Sequence, residues 1–142
     1  MSVTGASIVR GVPKAKRITV IADTTEIAKG KVVKITGHVG TIPKVTVTGS
    51  SADKPLGVTY EVIEANKKGL VIIDDAIVDI ASTTADVAIG SWVAPAAAGA
   101  IAAVAQGSGV TYVVGFSISP APGSGGGTLQ IVLSLGILGG TG

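Results

Sequence analysis

The stretch Gly57-Val-Thr-Tyr-Glu-Val-Ile63, followed by Asn66-Lys-Lys-Gly69 and then Leu70-Val-Ile-Ile73, decides the fold class. Val, Ile, Thr and Tyr dominate the two runs, and these residues fill pleated, half-buried strands. Asn66 to Gly69 has the turn chemistry of a hairpin, because Asn and Gly tolerate the backbone that tight turns require. A turn set between two such runs predicts paired strands.

The same reading extends in both directions. Towards the N-terminus, Arg17–Ala22, Lys31–Thr36 and Lys44–Thr48 are short Val/Ile/Thr runs, the last cleanly alternating. Towards the C-terminus, Ala76–Ile80, Ser91–Val93, Ile101–Val104, Thr111–Ile118 and Thr128–Ser134 continue the series. Helix signal is sparse. Ala94–Ala105 has helix-forming residues, but Pro95 and Gly99 argue against a long helix, and a single helical turn is expected near Thr83–Ala88. Pro120–Gly127, with two prolines and four glycines, reads as a loop. The expected class is all-β with little helix.

The two halves also resemble each other. Gly30-Lys-Val-Val33 aligns with Gly90-Ser-Trp-Val93, and Leu56-Gly-Val-Thr-Tyr60 with Val114-Gly-Phe-Ser-Ile118. Leu70–Ile73 then aligns with Thr128–Ile131, as a duplicated β unit requires. At 142 residues the chain is one domain, or two very small half-domains sharing a core.

Charge is distributed unevenly. Only 14% of residues are charged while 46% are hydrophobic, and every Lys, Arg, Asp and Glu lies between Arg10 and Asp86. From Val87 to Gly142 no side chain carries a formal charge, so much of this half is expected to be buried against other copies or a partner. A net charge of +2 is too small to argue for nucleic acid. Without cysteine there is no disulfide or thiolate metal site. The most apolar stretch, Val93–Ala105, is too short to span a bilayer, and no signal peptide is visible; no membrane partner is expected.

Chemistry-bearing residues are few. His38, the only histidine, lies in the turn-like Gly37-His-Val-Gly40 and is expected to be a solvated loop residue. Asp74, Asp75 and Asp79 lack the spacing of a calcium loop and read as turn and solvent-facing positions. Gly123-Ser-Gly-Gly-Gly127 has no cation near it and precedes a strand, unlike a phosphate-cradling loop. No catalytic residue, metal or cofactor is expected, and the chain does not read as an enzyme. Residues 1–17 read as an N-terminal arm ending in the basic Lys14, Lys16 and Arg17, and residues 18–142 as the β domain. The aromatics Trp92 and Tyr112 are candidates for an interface, with core packing the equal alternative.

The order of these segments carries a resemblance. Lys29-Gly-Lys-Val-Val33, Leu56–Tyr60, Val87-Ala-Ile-Gly-Ser-Trp-Val93, Val114–Ile118 and Leu129–Ser134, after a flexible arm, resemble the head decoration (cement) proteins of tailed bacteriophages with the β-tulip fold, over about Ala28 to Leu135. The resemblance implies a small β-barrel-like domain that binds the outer surface of a mature head as a homotrimer and stabilises it against internal DNA pressure. It also implies synthesis in the host cytoplasm and a major capsid protein as partner. The capsid-binding arm would involve Val9, Arg10, Val12, Pro13, Lys14, Lys16 and Arg17, adding a strand to the shell, and subunit contacts would involve Trp92, Tyr112 and Phe116. It assigns no role to the Gly-rich tail, Gly136–Gly142. Other readings are a tail-tube or fibre subunit, or a carbohydrate-binding module touching surface glycans through Trp92 and Tyr112.

Overall fold

A computed structural model describes residues 8–10, 16–74, 76–82, 87–104, 111–119 and 127–138. The described residues form strands β1 (Ile8–Arg10), β2 (Lys16–Ala22), β3 (Val32–Val39), β4 (Ile42–Val47), β5 (Gly57–Thr59), β6 (Lys68–Asp74) and β7 (Ile77–Ser82). After these come β8 (Trp92–Pro95), β9 (Ile101–Ala103), β10 (Thr111–Ser117) and β11 (Gly127–Leu138). The one helical element among them is a 3₁₀ turn at Ala97–Gly99, inside the stretch where Pro95 and Gly99 argued against a longer helix.

The all-β expectation holds, and the strands close into two five-stranded barrels. In the first, β2 pairs parallel with β4, while β3–β4, β3–β5, β5–β6 and β2–β6 are antiparallel. In the second, β7 pairs parallel with β9, while β8–β9, β8–β10, β10–β11 and β7–β11 are antiparallel. The two wiring schemes are identical, so the duplication read in the sequence is a duplication of topology.

The equivalence extends to single atoms. Val32 and Val33 face Val58 and Gly57 across β3–β5; Trp92 and Val93 face Phe116 and Gly115 across β8–β10. Gly30 and Gly90 open these strands at φ +76° and +85°, a left-handed backbone that glycine adopts without steric cost. Gly30 N–H donates to Thr59 O at 3.0 Å, and Gly90 N–H to Ser117 O at 2.7 Å. Thr59 N–H and Ser117 N–H donate back to Lys31 O and Ser91 O, both at 2.9 Å. Thr59 and Ser117 are buried, and each hydroxyl donates to a backbone carbonyl, Ala28 O at 2.7 Å and Ser119 O at 2.9 Å. Burial of a hydroxyl is tolerated because the bond is made.

Several strands depart from the sequence reading: β3 runs on to Val39, so His38, expected in a turn, lies in a strand, and β8 runs on to Pro95. β5 stops at Thr59 instead of running to Ile63; Ile63 instead makes an isolated bridge to Ile27, and both are buried in the first barrel's cluster. Asn66 takes φ +62° in the turn before β6. β11 does not end at Ser134: Gly136, Ile137 and Leu138 continue it against Val113, Tyr112 and Thr111. The first residues of the tail therefore belong to the second barrel.

Burial divides the interior unevenly. Val20, Ala22, Ile27, Val33, Val45, Ile63 and Val71 fill the first barrel with residues of its own. The second cluster holds Val78, Ile80, Val93, Ile101, Val114, Leu129 and Ile131, and it takes in Val32, Val58 and Ile72 from the first barrel. Those three point outward from the first barrel, and all three are fully buried. They form the seam between the barrels.

Outside the core, Lys34 pairs with Asp53 at 3.1 Å and Lys44 with Asp23 at 3.3 Å. The Gly49 amide donates to Asp53 Oδ2 at 2.7 Å. With the Lys34 ammonium beside it, this bond holds the Asp53 carboxyl below its ordinary value of 3.8. The Thr36 hydroxyl and Lys44 act likewise on Asp23. A depressed carboxylate pKa stabilises the fold above the unfolded value, and that contribution is lost as pH falls through the folded one. Urea midpoints are therefore expected to be flat from neutrality to about pH 5 and to drop below about pH 4. Asp53→Asn should lower the neutral midpoint slightly and shrink the acid drop.

Candidate assembly surface

The duplicated frame shows where the halves differ, and the difference is a surface. At the positions of buried Val32 and Val58, the second barrel carries Trp92 and Phe116. Their rings meet edge to face, centroids 5.5 Å apart at 78°, in the geometry aromatic pairs favour. Trp92 is 40% exposed and Phe116 half-buried; Val132, aligned with Ile72, is also half-buried. Ile89, in the turn that leads into β8, is 65% exposed. Large apolar side chains this open mark contact surfaces when they cluster. The second barrel's one charged side chain among the described residues is Asp79, so little here opposes desolvation.

Trp92 and Phe116, named as subunit-interface candidates from sequence, thus lie together on one face. Tyr112 lies further along β10. It is four residues from Phe116, about 13 Å along an extended strand, and it lines a groove of about 400 Å³ with Pro55, Leu56, Ile73, Leu135 and Ile137.

The arm candidates divide similarly. Val9 and Arg10 belong to β1, which adds antiparallel to β7 through Ile8↔Val78 and Arg10↔Ile77. Val12, Pro13 and Lys14 lie outside the described residues. Lys16 and Arg17 open β2 and are part of the first barrel; the Arg17 guanidinium stands 5.2 Å from the centre of the Tyr60 ring.

His38 is exposed in the β3–β4 hairpin, where its Nδ1 lies 3.1 Å from Gly40 O. Of the acidic trio, Asp74 ends β6, Asp79 is in β7, and Asp75 lies outside the described residues, as do residues 120–126 of the Gly-rich loop. Among the described residues no three His, Cys, Asp or Glu side chains are grouped to hold a metal ion. No helix among them is long and apolar enough to cross a membrane.

Sequence reading missed most of the exposed apolar surface, Val62 and Ile137 included. For Ile89 a usable signal exists, a large aliphatic residue directly before a turn glycine. Val39 and Ile35, 53% and 55% exposed on the β3–β4 hairpin, sit in a strand whose far half faces solvent, which no pattern in the sequence announces.

No family model matches the sequence, and no curated protein is similar to it. Among solved structures, the fold is similar to the N-terminal base of the head fibre protein gp8.5 of bacteriophage phi29, with a TM-score of 0.63 at 14% identity, over 84% of this chain and 94% of that one.

Proposed function

We propose that this chain is a structural protein of a tailed-phage head that acts by binding and not by catalysis: as a homotrimer it sits on the outside of the mature shell, contacts the major capsid protein and resists internal DNA pressure. The observation that carries this reading is the likeness to the base of a phage head fibre, which spans nearly the whole of that domain. The unpaired aromatic face and the charge-poor second barrel support self-association. Stabilisation is by mass action: a protein that binds only the mature shell adds about 2.7 kcal/mol per site at a hundredfold excess over Kd. Many modest sites then oppose the pressure together. The chain would be made in the host cytoplasm and end up on the virion surface.

The arm is assigned the shell contact, through strand addition. Because Lys16 and Arg17 are built into β2, the informative deletion is residues 1–15, which leaves both barrels complete. The truncated protein should keep its circular dichroism spectrum and its oligomer mass but fail to co-sediment with DNA-filled heads of the phage that encodes it. Saturation of heads by the truncated protein would remove the arm from the contact.

The neighbour's name favours one variant of this reading, a platform from which a fibre projects. Electron microscopy of decorated heads separates the two, as flat knobs or projecting fibres.

A further inference from the structure

The surface occupied by Trp92 and Phe116 has a counterpart whose partner is visible. In the first barrel the same positions, Val32 and Val58, are seated on the second barrel. Part of that seat is the β8–β9 connection. Gly99 packs so closely on the first barrel that a Cβ there would lie 2.9 Å from the Lys31 Cβ, and Gly99 N–H donates to Thr48 O at 3.1 Å. The Thr48 hydroxyl also donates to Ala96 O at 3.1 Å. One barrel's outer face thus docks against the next barrel's connection between its second and third strands.

Within one chain this contact is made once. Among the described residues, the second barrel's own outer face, with Trp92 and Phe116, has no barrel on it; the first barrel's equivalent connection, the tip of the β3–β4 hairpin, has none under it. That tip carries exposed Val39 and a left-handed Gly40, at the place where the seated connection carries left-handed Ala98 and Gly99. A socket and its plug are left over at opposite ends of the duplicated chain.

We propose that the Trp92–Phe116 face docks on the β3–β4 hairpin tip of a second copy, repeating between chains the contact that joins the two barrels within one. The interface is heterologous: one surface of each copy meets a different surface of the next, so each copy has one of each to offer. The exchange of two valines for Trp and Phe fits a contact made between separate chains, where large aromatic anchors supply most of the binding energy. This deepens the self-association part of the proposed function and rests on it; it says nothing about the shell.

The chain has one tryptophan and no cysteine, so both readouts are free of background. Trp92 emission should shift to the blue as protein concentration rises through the association range. Lys31, which touches Gly99 in the seam, aligns with Ser91, and the seated connection aligns with Thr41. The double variant Ser91→Cys with Thr41→Cys should therefore form disulfide-linked multimers on mild oxidation, while each single variant stays uncross-linked. A Ser91→Cys variant that links to itself would overturn the contact while leaving a trimer intact, because it requires like surfaces to meet. A monomer at all concentrations, with constant emission, would overturn both the contact and the self-association beneath it.

Discussion

Gly115→Ala is expected to leave little folded protein, and Gly57→Ala to do nearly the same. A Cβ on Gly115 would fall inside the carbonyl oxygen of Val132, with that carbonyl's carbon at 2.9 Å and the Ser134 nitrogen at 3.2 Å. At Gly57 the obstruction is the carbonyl of Ile72, the residue aligned with Val132. Extra methyl groups in a core cost about 1–3 kcal/mol when side chains can turn away. Here the obstructing atoms are backbone of the neighbouring strand, so relief requires opening the β10–β11 or β5–β6 ladder. The loss should exceed about 3 kcal/mol, a large share of the 5–15 kcal/mol that holds a typical domain together. Gly136→Ala is the control, because its Cβ would meet only Val113 Cγ2, at an ordinary 3.5 Å. Urea unfolding should place that variant within about 1 kcal/mol of the parent. Equal, small effects at all three glycines would show that the barrels are not closed as described.

The second large effect is a contrast between aligned positions. Val58→Asp places a carboxylate in the fully buried seam among apolar side chains such as Val32 and Ile72, and the protein should fail to fold or lose about 3–5 kcal/mol. Phe116→Asp makes the equivalent change on a half-buried face and loses the ring contact with Trp92. Its unfolding free energy should fall by no more than about 1–2 kcal/mol, while self-association is abolished. Urea titration and sedimentation of the two variants side by side read both quantities. Were Phe116→Asp to associate normally, the aromatic face would not be an interface.

Much of this was legible in the chain. β2, β4, β6, β10 and most of β11 follow from Val/Ile/Thr runs because alternate burial needs alternate apolar residues, as in the β7 pattern where Val78 and Ile80 are buried. The duplication was legible because its markers are backbone requirements: a left-handed glycine before β3 and β8, and a glycine where β5 and β10 approach a neighbouring strand. β11 was cut short because Gly136 interrupts its pattern, and β5 was overextended because Ile63 is apolar for a different purpose, bridging to Ile27. The parallel β2–β4 and β7–β9 pairs that close the barrels leave no local trace. Nor does sequence distinguish Val32 from Val33; only the register shows that one lies in the seam and the other inside the barrel.

The uneven sharing of interior residues has a consequence for synthesis. Every residue of the first cluster lies between Val20 and Val71, so once Asp74 has cleared the ribosome the first barrel holds its complete interior. The second does not, because its cluster includes Val32, Val58 and Ile72. The side chains of the first barrel's interior are therefore all synthesised before the strands of the second emerge, while the seam draws on both halves of the chain.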